Sequence, residues 1–106
     1  MNDVLARQIA AIESGDLEGL LRQYHPDAVV TRLDLVARGR EEIRALFAAY
    51  LAKAPKLEEL GGLQEAGDTL LYRATMVVDG QRFTTFGTFV LNDGLIWRQT
   101  AVALPA

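Results

Sequence analysis

"GREEIRALFAAYLAKAPKLEEL", residues 39–60, contains the point at which the chain changes its period. Ile43, Leu46, Phe47, Tyr50 and Leu51 recur three and four residues apart, the apolar stripe of an amphipathic helix opened by Gly39. Glu41 and Glu42 sit at the positive end of the helix dipole, Lys53 sits near its negative end, and Pro55 closes the segment. From Lys56 onward the pattern is strand-like, rich in β-branched and aromatic residues and punctuated by "AGD", "VDGQ" and "LNDG". Four long strands are predicted, at roughly 57–66, 69–78, 81–91 and 95–103, and their short connections imply antiparallel neighbours. Gly61-Gly62 inside the first of them reads as a bulge or bend, since a long sheet must curve to wrap round a helix.

Working back from Gly39, "DAVVTRLDLVAR" (27–38) predicts a short β segment with a bend. Before it, Leu17, Leu20, Leu21 and Tyr24 predict a short helix that must stop near His25, because Pro26 disfavours α geometry in the residue preceding it. A first helix carries Leu5, Ile9 and Ile12 and ends near Ser14, where Gly15 supplies a stop and Asp16 a cap for the next helix. The fold class is therefore α+β: three N-terminal helical segments packed on a strongly curved, mainly antiparallel sheet, with residues 1–106 as a single domain.

With 106 residues, half of them hydrophobic, there is room for one core. The net charge of −3 and eleven scattered basic residues exclude a nucleic-acid footprint. The absence of cysteine removes thiolate chemistry and disulfides. The N-terminus lacks the apolar run of a signal peptide, and no stretch approaches the roughly 20 apolar residues of a membrane span. A soluble, cytoplasmic protein is expected, with no membrane or nucleic-acid partner, no metal and no cofactor.

Three stretches, "SGDLEGLLRQYHPDAVV", "RGREEIRALFAAYL" and "FGTFVLNDGLIWRQT", taken in their order and spacing, resemble the nuclear transport factor 2-like superfamily, in particular its small SnoaL-like members. The resemblance spans nearly the whole chain. It implies a cystatin-like α+β cone in which the sheet curls round the helices and leaves a cavity. Members use that cavity for isomerisation, dehydration, epoxide hydrolysis, aldol cyclisation or simple binding, so the fold does not fix the function. Aligned with the ketosteroid isomerase branch, the tyrosine position falls on Gln8, the base position on Arg32 and the second acid position on Gly87. Arginine cannot accept a proton and glycine has no side chain, which argues against that isomerisation. Arg32-x-Asp34 is only a superficial echo of an epoxide hydrolase pair.

Two residues are catalytic candidates. His25 is the single histidine, and as a helix-ending turn residue it needs no chemistry to explain it. Asp34 shares a strand face with Arg32 at i and i+2, so the two should pair or bind something polar if that face points inward, or sit in solvent if the chain bends. The expected pocket is lined by Tyr24, Arg32, Phe47, Tyr50, Tyr72, Phe83, Phe89, Trp97 and Gln99. Arg32 would anchor a polar or anionic group, Gln99 would lie on the same face as Trp97, and the small residues Gly87 and Ala101 would leave space.

The strand "FTTFGTFVL" (83–91) carries no charge on either face, which predicts cover on both sides. The helices cover one. A homodimer through the outer face of strands 81–91 and 95–103, with Thr84, Phe86, Thr88 and Val90 continued by Ile96, Thr100 and Val102, would cover the other. Three functions compete: an acid–base enzyme acting on a polyketide-like or steroid-like compound, a binder of a small hydrophobic ligand with a polar group, and a dimeric interaction module with a filled cone.

Overall fold

The computed structural model describes residues 3–106, in the order α1 (Asp3–Ser14), α2 (Leu17–Leu21), β1 (Tyr24–Thr31), β2 (Val36–Arg38), α3 (Gly39–Leu51), β3 (Lys56–Ala66), β4 (Thr69–Val78), β5 (Gln81–Asn92) and β6 (Leu95–Pro105). Six strands form one sheet in the order β2-β1-β6-β5-β4-β3, antiparallel throughout except where β1 lies parallel to β6. This is the α+β architecture expected, with the helices against the inner face of the curved sheet. Among the described residues no helix is long and apolar enough to cross a membrane.

The local chemistry accounts for the connections. Asp79-Gly80 and Asp93-Gly94 are two-residue hairpin loops in which both residues have positive φ, at 54° and 76° and at 53° and 75°. Left-handed pairs of this kind match the right-handed twist of the flanking strands. Asp16 caps α2 by accepting from the Gly19 N–H at 2.9 Å. In β3 the register against β4 shifts between Leu60 and Gly62, the predicted bulge, and shifts again between Leu57 and Glu59.

Two irregularities correct the sequence reading. Tyr24 does not end a helix: α2 stops at Leu21 and Tyr24 begins β1, paired with Ile96. Tertiary hydrogen bonds override the helical period there. The Ile96 N–H donates to the Gln23 carbonyl at 2.8 Å, and the Arg40 guanidinium donates twice to the Tyr24 carbonyl at 3.1 and 2.6 Å. The "His-Pro-Asp" segment that follows is not a turn between elements but an irregular part of β1, where the register against β6 shifts between Tyr24 and Val29.

The second correction lies in β6. Val90 pairs with Arg98 and Leu91 with Ile96, which leaves Trp97 as the extra residue of a β-bulge. A bulge reverses the alternation of faces, so Ile96 and Gln99 are both buried on the inner side although they lie an odd three positions apart. Ile96 is fully buried and is not part of the outer face.

The core is formed by Leu20 of α2, Ile43 and Phe47 of α3, Val30 of β1, Leu70 of β4, Phe89 of β5 and Ile96 of β6. Burying each of the larger side chains stabilises the fold by about 1.5–3 kcal/mol.

Candidate functional site

Between the helices and the inner face of the sheet the core leaves a cavity of about 480 Å³. The first helix gives it Leu5, Gln8, Ile9 and Ile12, the stripe seen in the sequence with one polar residue inside it. Phe47 and Tyr50 of α3 face Tyr72 of β4 and Phe83 and Phe89 of β5 across the space. Phe47 and Tyr50 meet edge to face with centroids 6.5 Å apart, and Tyr72 tilts against Phe89 at 5.5 Å. Such pairs hold ring orientations fixed and keep the walls apart.

A buried polar cluster lies at one side. The Gln8 amide donates from Nε2 to the Tyr24 hydroxyl at 2.8 Å, and that hydroxyl donates to Oε1 of Gln99. Gln8 and Gln99 line the cavity, whereas Tyr24, 0% exposed, sits behind them and packs its ring 5.6 Å from that of Phe47. Burial pushes the Tyr24 hydroxyl far above the ordinary tyrosine range despite the opposing hydrogen bond from Gln8. Burial likewise raises Tyr72 to about 12, and raises Tyr50 against the pull of the nearby Arg32 charge. All three phenols remain protonated at neutral pH.

The charged residues that line the cavity are Glu13, Arg32, Asp34 and Lys53, each exposed or half-buried, so they mark its mouth. Arg32 and Asp34 lie in the turn between β1 and β2, where the Arg32 N–H donates to the Leu35 carbonyl at 2.9 Å. Their side chains form a two-point ion pair, Nε to Oδ1 at 3.1 Å and Nη2 to Oδ2 at 3.0 Å. The Arg32 side chain is 38% exposed and that of Asp34 63%. The strand stops at Thr31, so the pair sits on a bend and not on an inward strand face, and still reaches the mouth.

Of the residues read from the sequence, Arg32, Phe47, Tyr50, Tyr72, Phe83, Phe89 and Gln99 come together round this space. Tyr24 and Trp97 do not line it. Tyr24 is a buried support behind the two amides, and the bulge turns Trp97 away, where the Arg98 guanidinium lies 3.8 Å from its ring centroid. His25 is half-buried on β1 outside the cavity, its Nδ1 accepting from the Asp27 N–H at 3.0 Å, so it cannot act together with Asp34 there. Gly87 leaves no space: the Tyr72 ring fills it. Gln8, which the alignment with the ketosteroid isomerase branch put at the tyrosine position, is not among the expected pocket residues but lines the cavity as the lone amide in the apolar stripe of the first helix. Among the described residues no cluster of three or more histidine, aspartate or glutamate side chains could hold a metal ion.

A cone of this topology with an aromatic-walled cavity is the architecture of the SnoaL-like group, and the chain belongs to that family: the model of the SnoaL-like domain matches residues 5–99. Among solved structures it is similar to a protein from Sinorhizobium meliloti described as a polyketide cyclase, with 26% identity, 96% of this chain and 95% of that one covered, and a TM-score of 0.85. A protein from Kribbella flavida described as a ketosteroid isomerase is 14% identical over 99% of this chain and 78% of that one, with a TM-score of 0.86. An NTF2-like protein of unknown function from Cytophaga hutchinsonii is 14% identical over 97% of this chain and 88% of that one, with a TM-score of 0.83. No curated protein matches the chain.

Proposed function

We propose that this SnoaL-like protein binds a small apolar compound carrying a polar or anionic group in its cone, as a dimer and in the cytoplasm. The observation that carries the reading is the cavity: its walls are aliphatic and aromatic apart from Gln8, Gln99 and Thr85, and its charged residues are confined to the mouth. Apolar walls with a few polar groups are the usual make-up of a small-molecule site. The likeness to the S. meliloti protein supports a polyketide-like ligand as the first class to try.

Binding is favoured over acid–base turnover by the placement of the ionisable groups. A general base needs to reach its substrate with a suitable pKa. Here the inner tyrosines hold their protons, and the carboxylates lining the cavity, Glu13 and Asp34, stand at its rim. Asp34 is further engaged by Arg32. Dimerisation through the outer sheet face is supported by Leu71 and Phe86, which are 51% and 43% exposed in the single chain.

The Arg32–Asp34 pair supplies the test. Arg32→Leu is expected to weaken an anionic naphthalene probe roughly two- to fivefold, as befits a partly exposed charge. Asp34→Asn, which frees the guanidinium, is expected to tighten it. If fluorescence titration shows no binding of the probe to the wild type, the pocket reading fails; identical affinities for all three proteins remove Arg32 as the anchor.

A further inference from the structure

Gln8 and Gln99 stand on either side of one hydroxyl, and both residues line the cavity. Gln8 is 3% exposed and Gln99 7%. Tyr24 engages one N–H of the Gln8 Nε2 and one lone pair of the Gln99 Oε1. The Gln8 Oε1 is left buried with no hydrogen-bond partner, the one such side-chain atom found among the described residues. An unpaired buried acceptor is costly to a fold and is an exception that calls for an explanation. Tyr24 bonds to the oxygen of Gln99, which leaves the Nε2 of this cavity-lining residue as a donor.

We propose that these two amides form a neutral clamp for a ligand hydroxyl, which donates to Gln8 Oε1 while accepting from Gln99 Nε2. The inference rests on the pocket reading above and deepens it by naming the class of the inner polar group. An alcohol or phenol is both donor and acceptor, and so satisfies both amides at once. An ether or a ketone only accepts and leaves the Gln8 oxygen unpaired. A carboxylate also only accepts, and would bring its charge into a region where the cavity supplies no cation, since Arg32 and Lys53 lie at the mouth. Tyr24 acts from behind as a positioning residue: its single hydroxyl accepts from one amide and donates to the other, which fixes the face each amide turns to the ligand.

The experiment compares 2-naphthol with its methyl ether, two probes of one scaffold that differ in the donor. Isothermal titration of the wild-type protein is expected to give naphthol roughly a five- to tenfold lower Kd, the size of one satisfied buried hydrogen bond. Gln8→Met keeps the length and apolar bulk of the side chain and is expected to bring the two Kd values together, mainly by weakening naphthol. Equal affinities in the wild type would overturn the clamp while leaving the apolar cavity standing. Failure of both probes to bind would overturn the cavity reading and the clamp with it. A Gln8→Met protein that melts like the wild type yet keeps the full naphthol preference would also overturn the clamp. The wild-type comparison decides the matter even if that variant does not fold.

Discussion

Tyr72 lies across β5 directly over Gly87, its cross-strand partner. A Cβ built on Gly87 would come within 2.4 Å of the Tyr72 Cζ and Oη atoms. The glycine is what lets an aromatic wall of the cavity lie flat against the sheet, an arrangement in which the ring also covers otherwise bare backbone. Gly87→Ala is therefore expected to push the ring against Phe89 and to destabilise the protein by about 1–3 kcal/mol, the usual penalty of overpacking. Urea unfolding measures this, and a combined Gly87→Ala, Tyr72→Leu protein should recover part of the loss.

Removal of the Tyr24 hydroxyl leaves two buried amides facing an empty centre. Tyr24→Phe keeps the ring packed on Phe47 but removes both hydrogen bonds. A loss of about 1–3 kcal/mol is expected in thermal or urea unfolding, with circular dichroism unchanged below the transition. Stability equal to wild type would mean that the cluster contributes nothing to the fold.

The raised tyrosines also set an alkaline limit. A phenol whose folded pKa lies above its unfolded value of 10.0 stabilises the fold fully below that value, and the contribution is lost as pH climbs through the folded value. For Tyr72 the window runs from 10.0 to about 12, and Tyr24 and Tyr50 act in the same sense. Melting temperature should therefore fall steeply above pH 10, and Tyr72→Phe should blunt the fall while changing little at neutral pH.

In acid the sign is opposite. The Arg44 guanidinium holds Glu18 below its ordinary pKa of 4.5, and Arg82 does the same for Glu58. Each pair stabilises the fold above the unfolded value and loses that contribution as pH falls through the lowered folded value. These groups are fully exposed, so the effect is small and salt should erase it. Arg82→Met should reduce the acid dependence of the melting temperature at low ionic strength and leave it unchanged at high salt.

The sequence made the sheet and the third helix legible because their signals are local: alternation, Asp-Gly pairs and a stripe bounded by Gly39 and Pro55. It made most of the cavity walls legible as well, since Phe83, Phe89 and Tyr72 follow from strand parity alone. Trp97 was misplaced because one bulge residue reverses parity, and nothing in "LIWRQT" marks which residue will be extra. Tyr24 was misplaced because its helical spacing is real but is outweighed by backbone hydrogen bonds from residues 40 and 96, remote in sequence. The Arg32–Asp34 pairing could be anticipated from charge, but its position at the rim depends on where β1 stops. The Gln8–Tyr24–Gln99 cluster joins side chains 16 and 75 residues apart and has no local signature.

The outer sheet face gives a prediction independent of the cavity. Leu71 and Phe86 belong to neighbouring strands, with Val102 the partner of Phe86 across β6. If this face pairs two copies, light scattering at micromolar concentration should report twice the chain mass of 11.6 kDa. Phe86→Glu should then yield a folded monomer. A monomeric wild type would exclude the dimer and leave the cavity untouched.

Blocking the cavity from within separates binding in the cone from binding anywhere else. Ala101 lines the space from β6, so a larger side chain there would occupy it. Fluorescence titration with an apolar naphthalene probe is expected to show saturable, one-to-one binding to the wild type. Binding should weaken by roughly tenfold or more in Ala101→Phe, as several apolar contacts are excluded, while the melting temperature stays within a few degrees. An equal affinity in the blocked and open proteins would contradict the account, because the probe would then be bound somewhere other than the cone.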